Sequence, residues 1–456
     1  MIMEIKDIIT HKLGIDKAIL FTLLGRGLQI STALFTVVFI ARYLSPDEQG
    51  YYYTFGSIVA IQIFFELGLT GIITQFVAHE ASHLQIKNKY DFEGEDKYKS
   101  RLASLLRFCT KWYLVFAVIL LIVLSIVGYV FFTEYNDNDN GILWKTPWVL
   151  LAIGTAFNLF LSPIIAFIEG LGKVKEVAQI RLVQQIIHPI VIWGGLAIGS
   201  KLFVSGADAI LRVGIVALII LKSPFYKMLC NIWYYQKEEK VSYMKEIFPF
   251  QWRIALSWIS GYFIFQLFNP VLFASEGAKV AGQMGMTMAA LNGLQALTQS
   301  WINTKVPRLS GLIAQKKWME LDSLFHITMK QMMVIGTFLL VSFITVIFTI
   351  QHYQITFFGM DIGNRFLPII PLALMSWSVF TMFPINCWAT YLRCHKKEPL
   401  LWNSIVVAIL CCLSTLILGN LYGLMGMTLG FALLRFVSLT WIYIIFKTKK
   451  KEWHGK

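Results

Sequence analysis

Long apolar stretches are the feature that most constrains this chain. The stretch AILFTLLGRGLQISTALFTVVFIARYL (18–44) is long enough to cross a bilayer as a helix, which takes about 20 apolar residues. Similar stretches recur along the 456 residues, of which only 14% are charged, against about 25% in a soluble domain. They are far longer than the roughly 10-residue alternating strands of a membrane barrel. The sequence therefore predicts an all-α polytopic membrane protein.

The apolar stretches predict twelve transmembrane helices, because the backbone must satisfy its hydrogen bonds internally in lipid. The predicted spans are 18–43, 51–79, 111–133, 143–169, 179–200, 204–229, 249–274, 279–304, 331–351, 366–392, 399–419 and 422–446. The polar, mixed-charge N-terminus does not resemble a cleavable signal peptide, so we expect the first span to remain in the protein.

The positive charges orient the chain. Of the 40 Lys and Arg residues, most fall in segments that are cytoplasmic if the N-terminus is cytoplasmic. The exceptions are Arg42, Lys145, Lys201, Lys279 and Arg365 on the outer side, and Arg26, Arg212 and Arg435 within spans. This asymmetry predicts a multi-pass protein with both termini in the cytoplasm. It also accounts for the net charge of +14 without a nucleic-acid partner.

The two halves of the chain resemble each other. Span 4 ends LSPIIAFIEGLGKVKE (161–176) and span 10 ends MFPINCWATYLRCHKKE (382–398), each with Pro-Ile followed by a basic stretch that closes with glutamate. We therefore predict two six-helix lobes, 1–235 and 236–456, related by a parallel repeat. With six spans per lobe, the pseudo-twofold axis runs along the membrane normal, which is a transporter architecture.

Three segments resemble polysaccharide flippases. ARYLSPDEQGYYYTFGSIVAIQIFFELGLTGIITQFVA (41–78) is similar to their first helical hairpin, and FIEGLGKVKEVAQIRLV (167–183) and VPRLSGLIAQKKW (306–318) follow in family order. The chain thus resembles the O-antigen, capsule and exopolysaccharide (Wzx-like) branch of the MOP superfamily, which also contains MATE multidrug extruders and lipid II flippases. The resemblance implies alternating access in a bacterial inner membrane. The implied substrate is an undecaprenyl-pyrophosphate-linked oligosaccharide, moved from the cytoplasmic to the outer leaflet.

Arginines within the spans fit such a substrate. An arginine in mid-membrane costs about 2.5–3.5 kcal/mol on insertion scales, so it needs a functional or structural reason. Arg26 and Arg253 lie on spans 1 and 7, which are equivalent in the repeat, and Arg435 lies in span 12. Because a guanidinium stays charged and binds phosphate oxygens as a fork, we predict that all three bind the pyrophosphate, the first two as a clamp. A side chain that reaches the membrane surface is the alternative, above all for Arg253.

Four further ionisable residues predict either energy coupling or ion pairing. Glu66 either pairs with Arg26 or carries a proton. His188, which precedes Pro189, either titrates during transport or packs as a neutral side chain. Asp208 and Arg212 are four residues apart and can neutralise each other on one helix face, or Arg212 can contact the substrate.

A stripe of amides predicts a sugar-binding surface. Asn292, Gln295, Gln299 and Asn303 are spaced to share one face of span 8. Gln266 in span 7 and Gln29 in span 1 add two more amides. Amides both donate and accept hydrogen bonds, as sugar hydroxyls require. Hydrogen bonding between helices is the alternative.

Other functions fit the sequence less well. A MATE-type multidrug or cation antiporter is expected to place carboxylates in its cavity, whereas arginines predominate in these spans. A glycan polymerase or ligase normally has a large outer loop, but the longest predicted one is about 351–365. No phosphate-binding G-x4-G-K-[ST] loop occurs, and the six cysteines have no metal-ligand spacing. We therefore predict a non-enzymatic transporter without metal or cofactor. Its expected partners are the lipid-linked glycan, membrane lipids and, by the resemblance, polysaccharide polymerase or assembly proteins.

Overall fold

The computed structural model describes residues 17–87, 91–135, 141–235, 241–357, 360–395 and 397–454. Long helices dominate these residues, which confirms the predicted all-α class. Two short antiparallel hairpins interrupt them: Leu84–Lys87 (β1) pairs with Asp91–Gly94 (β2), and Thr356–Phe357 (β3) pairs with Met360–Asp361 (β4).

The helices follow the order of the predicted spans. In the first half of the chain they are α1 (Lys17–Tyr43), α2 (Pro46–Val59), α3 (Ile63–Glu66), α4 (Leu69–Ala81), α5 (Asp96–Glu134), α6 (Lys145–Gly170), α7 (Val174–Ile198), α8 (Phe203–Lys222) and α9 (Pro224–Tyr234). In the second half they are α10 (Phe248–Phe265), α11 (Phe268–Glu276), α12 (Ala278–Asn303), α13 (Val306–Ala314), α14 (Trp318–His352), α15 (Ile369–Cys394) and α16 (Leu401–His454). A five-residue π-helix, Tyr243–Ile247, precedes α10.

Several helices differ from the predicted spans in where they break. The second span consists of α2, a 3-10 turn, α3 and α4, and Leu67 and Gly68 both adopt left-handed backbone with φ of 50° and 65°. The sixth ends at Lys222 because Ser223 caps α9 and Pro224 opens it, and proline favours a first helical turn. The seventh breaks between α10 and α11. Helix α16 contains both of the last two predicted spans, separated by a kink at Gly423.

Hydropathy supports a polytopic membrane protein. Within the described ranges, nine helical stretches are long and apolar enough to cross a membrane, and one of them is the double-length α16. Helix α12, predicted as span 8, does not meet this criterion. Its amide stripe makes it more polar than its neighbours, as expected for a helix with a polar face.

The chain divides into two compact units. The first unit comprises 1–32 and 61–258, and the second comprises 33–60 and 259–456. In the first, Ile168, Val177, Ile180, Val216 and Ile220 form an apolar core between α6, α7 and α8. In the second, α2 packs along α12 with glycines where the two helices touch, and α15 packs against α16. The parallel repeat and the lobe boundary near residue 235 stay predictions.

Candidate functional site

Three ionisable side chains around a buried carboxylate join α7 and α8 in the first unit. Asp208 Oδ2 forms an ion pair with Arg212 Nη2 at 2.6 Å and lies 3.0 Å from His188 Nδ1. The carboxylate side chain is 5% exposed, whereas the histidine and arginine side chains are 30% and 37% exposed. The structure thus brings together three of the predicted site residues, and it adds His188 to a pair that the sequence placed on one helix.

Small residues explain how the carboxylate becomes buried. A Cβ at Gly154 of α6 would lie 2.6 Å from the Ala209 Cβ, and one at Gly206 would lie 2.6 Å from the Leu150 Cβ. Glycine at both positions lets α6 and α8 approach closely beside Asp208. The carboxylate is therefore removed from the lipid and held against its two cationic or titratable partners.

The triad leaves two polar atoms unused. Asp208 Oδ1 and Arg212 Nε are buried and have no hydrogen-bond partner within the described part of the chain. A buried carboxylate oxygen without a donor is unfavourable by about 1–3 kcal/mol, and more for a charged group. Both partners of Asp208 therefore share one oxygen while the other is free to accept a proton or a hydrogen bond.

Glu66 lies beside the break in the second span. Its Oε1 accepts a hydrogen bond from Thr70 Oγ1 at 2.9 Å, and its backbone carbonyl accepts one from Tyr113 Oη at 3.3 Å. The side chain of Arg26, its predicted ion-pair partner, lies outside the described residues. The helix break was not predicted from the sequence, although the glycines of ELGLTG indicate one.

Arg435 is buried in α16 of the second unit. It is 4% exposed, its Nη2 contacts Met382 Sδ of α15, and its Nε has no hydrogen-bond acceptor among the residues that the structure describes. No carboxylate pairs with it in the same part of the chain. An uncompensated buried guanidinium is costly and is typical of a functional group in a membrane helix.

The amide stripe of α12 remains accessible. Asn292 is exposed, and Gln295, Gln299 and Asn303 are half-buried. Within the described ranges none of these four side-chain amides hydrogen-bonds another side chain. Gln266 is half-buried where α10 ends, and its backbone N–H donates to Tyr262.

The remaining predicted residues lie in the first unit. Gln29 is exposed on α1. Arg253 is exposed on α10, with its guanidinium carbon 5.3 Å from the ring centroid of Trp252. Since the Arg26 side chain is outside the described residues, its clamp with Arg253 stays a prediction.

An ionic network near the predicted cytoplasmic side was not predicted from the sequence. Arg101 Nη2 of α5 lies 2.6 Å from Glu246 Oε2 in the π-helix and 3.0 Å from Glu80 Oε1 at the end of α4. The hydrogen bond from Arg101 lowers the pKa of Glu246, and the one to Glu80 raises the pKa of Arg101. Glu80 and Glu246 are 166 positions apart in the sequence, so no local spacing could have indicated that Arg101 contacts both.

A second missed group of contacts joins α2 to α11 and α12 within the second unit. Asn269 Nδ2 donates to Ser57 Oγ at 3.0 Å. Gln49 Nε2 donates to the carbonyls of Gly282 at 2.8 Å and Arg365 at 3.1 Å. The Gln49 bonds lie at the start of α2, which the sequence places near the outer membrane surface, and the Ser57 bond lies in its last turn.

Solved membrane transporters share this fold. A multidrug resistance MATE family transporter in an inward-facing conformation is 12% identical over 96% of this chain and 99% of its own, with a TM-score of 0.68. The lipid II flippase MurJ in an inward closed conformation is 14% identical over 94% of this chain and 87% of its own, with a TM-score of 0.58. A MOP superfamily transporter from Pyrococcus furiosus is 12% identical over 95% of this chain and 96% of its own, with a TM-score of 0.53. No protein-family model and no curated protein matches the sequence.

The chain is therefore a polytopic membrane protein with the MOP-superfamily fold. This confirms the fold that the sequence resemblance implies, whereas membership of the superfamily stays a prediction. The Wzx-like branch, which the sequence segments resemble, stays a prediction.

Proposed function

We propose that the protein is a transporter that flips undecaprenyl-pyrophosphate-linked oligosaccharides from the cytoplasmic to the outer leaflet of a bacterial inner membrane. The observation that carries this proposal is Arg435, a guanidinium buried in a membrane helix without a carboxylate partner in the described part of the chain. A positive charge held in low dielectric favours an anionic substrate.

The pairing of Asp208 strengthens the argument from charge. Since Arg212 neutralises this carboxylate at 2.6 Å, Glu66 remains as the only other carboxylate predicted deep within a span. Arg26, Arg253 and Arg435 then leave an excess of positive charge in the predicted spans. A transporter for cationic drugs would be expected to have the opposite excess.

The amides supply a surface for the glycan. Sugar hydroxyls need partners that donate and accept, and the accessible side chains of Asn292, Gln295, Gln299 and Asn303 do both. Gln266 and Gln29 add two further amides with accessible side chains. Under this proposal the arginines attract the pyrophosphate and the amides bind the sugars.

A reconstitution assay tests the proposal. The purified protein is placed in liposomes with a polyprenyl-pyrophosphate oligosaccharide, and a membrane-impermeant glycosidase reports the fraction of glycan in the outer leaflet. We expect protein-dependent flipping, a large loss with Arg435→Gln and Arg26→Ala, and partial activity with Arg26→Lys, which keeps the charge but not the fork. The matched control is Arg393→Gln, which removes an exposed arginine from the second unit.

Two outcomes would contradict the proposal. One is an absence of glycolipid flipping together with protein-dependent movement of cationic dyes, which would favour a multidrug antiporter. The other is full flipping by Arg435→Gln, which would remove the observation on which the proposal rests.

A further inference from the structure

Two histidines from distant parts of the chain meet where α15 and α16 end in the second unit. His395 directly follows α15, and His454 is the last residue of α16. Their Nε2 atoms lie 3.3 Å apart, although 59 positions separate the two residues in the sequence. Both residues lie in segments that the charge pattern predicts to be cytoplasmic. No local spacing could have indicated that they meet.

The separation of the two nitrogens fits a shared metal ion. Zinc binds imidazole nitrogen at about 2.0–2.1 Å in tetrahedral geometry, which places two ligating nitrogens about 3.3 Å from each other. The observed distance of 3.3 Å therefore needs no movement of the backbone to accept an ion between the rings.

The surroundings of His395 place a lone pair on its Nε2. Burial lowers the pKa of His395, and the charge of Lys397 acts in the same direction, so the ring is neutral at pH 7. Its Nδ1 lies 3.1 Å from the backbone carbonyl of Tyr391, which can only accept, so Nδ1 carries the proton. Histidines that bind metals usually donate their second ring nitrogen to such a partner, which fixes the tautomer and the orientation of the ring.

Aromatic packing holds His454 opposite this lone pair. Its ring stacks on Trp318 of α14, with centroids 4.0 Å apart and planes 18° apart. Without a metal, His454 Nε2–H donates to His395 Nε2. Metal binding replaces this hydrogen bond, and exchange with water moves the proton of His454 from Nε2 to Nδ1. Both rings stay neutral, so the step needs no other reactant.

The nearest lysines are directed toward other partners. Lys450 Nζ lies 2.8 Å from Asp322 Oδ2, and Lys397 Nζ lies 4.8 Å from the ring centroid of Trp453. The other oxygen of Asp322 accepts a hydrogen bond from Tyr391 Oη at 3.2 Å, and Tyr391 Oη lies 3.3 Å from His454 Nε2. A carboxylate is thus linked to the histidine pair through one hydroxyl group.

Two imidazoles define an exchangeable site. No group of three or more His, Cys, Asp or Glu side chains within the described residues is arranged to hold a metal ion, so water supplies the remaining ligands of such an ion. His395 also lines a cavity of about 520 Å³ between α13 and the end of α15, together with Ser310 and Thr390. This cavity gives an ion a path to the ring.

We propose that His395 and His454 bind a divalent metal ion of the zinc type through their Nε2 atoms, and that the bound ion clamps the end of α16 to the end of α15. Imidazole suits zinc, whereas magnesium and calcium take oxygen ligands, so these two ions are not expected to bind here. The site contains none of the residues that carry the proposed function, so the inference goes beyond that function and does not depend on it.

A zinc titration tests the site without measuring transport. The full chain is purified in detergent without a polyhistidine tag, treated with a chelator, and titrated with Zn²⁺ in competition with a fluorescent zinc indicator. We expect a single Zn²⁺ per chain and a melting temperature that rises with zinc, because a ligand of the folded state stabilises it. His395→Gln and His454→Gln should each lose the thermal shift and weaken binding at least about tenfold, the smallest loss typical of even an outer-shell change.

Two variants serve as controls. His326→Gln replaces an exposed histidine of the same unit. His83→Gln disrupts another pair of neighbouring histidines in the first unit, where the rings of His79 and His83 have centroids 5.7 Å apart. Both control variants should bind zinc as the wild type does.

Three results would overturn the proposal. The first is wild-type protein that does not compete with the indicator for zinc. The second is zinc binding that persists unchanged in both His395→Gln and His454→Gln. The third is binding that is lost in His83→Gln and kept in His454→Gln, which would place the ion in the first unit. Because the wild type and His454→Gln suffice for a decision, a His395 variant that fails to fold does not leave the proposal untested.

Discussion

Removal of Arg101 should destabilise the protein more than removal of any exposed arginine. Arg101 bridges Glu80, whose side chain is 4% exposed, and Glu246, whose side chain is 31% exposed. Replacement by glutamine leaves the buried Glu80 carboxylate without its arginine, and breaking a buried pair in this way costs about 3–5 kcal/mol. His79 Nδ1 lies 3.7 Å from Glu80 and offsets the loss only when it is protonated.

The two carboxylates should contribute unequally. Glu246→Gln removes a partly exposed partner, so we expect a loss of about 1 kcal/mol or less. Glu80→Gln in the Arg101→Gln background removes the uncompensated charge and should recover much of the stability, which a double-mutant cycle measures directly. The stability recovered by Glu80→Gln reports how much of the destabilisation by Arg101→Gln comes from the unpaired, buried Glu80 carboxylate.

The assay is unfolding in mixed micelles by titration with sodium dodecyl sulfate, followed by tryptophan fluorescence. The control is Arg393→Gln, whose pair with Glu398 has side chains 56% and 43% exposed and should contribute less than about 1 kcal/mol. Equal destabilisation by Arg101→Gln and Arg393→Gln would refute the argument from burial.

Three further predictions concern packing, backbone and pH. Gly282→Leu should lower the melting temperature, because even a Cβ at this position would lie 2.8 Å from the backbone of α2 and overpacking costs about 1–3 kcal/mol; an unchanged melting temperature would contradict the contact. Gly68→Ala should destabilise by about 1–2 kcal/mol in the same micelle titration, because φ is +65°, and a neutral effect would mean that the break relaxes. The Arg101–Glu246 bond lowers the pKa of Glu246 in the folded protein. The contribution of this bond to the free energy of unfolding should therefore be complete above the ordinary glutamate pKa and disappear as the pH falls through the lowered pKa. Glu246→Gln should abolish this part of the pH dependence of unfolding, and an unaltered profile would count against it.

Local patterns predicted the helices well because apolar length and charge asymmetry are properties of short segments. The helix breaks were harder to predict. Pro224 and Gly423 were visible as helix-breaking residues, but the left-handed Leu67 is not a residue type that favours this backbone. The close approach of Gly68 to Ile254, where a Cβ would lie 2.5 Å from Cγ2, shows that packing in the first unit holds this break.

The candidate site was predictable residue by residue but not as an arrangement. The sequence identified Asp208 and Arg212 as neighbours because helical spacing puts residues four apart on one face. It could not place His188 on their carboxylate, since that depends on the distance and rotation between α7 and α8. It could not show that Arg435 is buried without a carboxylate partner among the described residues, since its surroundings come from α15 as well as α16.

The sequence by itself determined that this chain is an α-helical membrane protein with polar and charged residues at defined places along its helices. Hydropathy acts on each segment independently, so a list of segments is sufficient for that conclusion. Only the tertiary structure decided which of those residues meet, as in the contacts of His188 with Asp208 and of Arg101 with Glu246. The physical reason is that helix rotation and separation are set by the shapes of side chains on several helices at once, such as the glycines at 154 and 206 that let α6 approach α8.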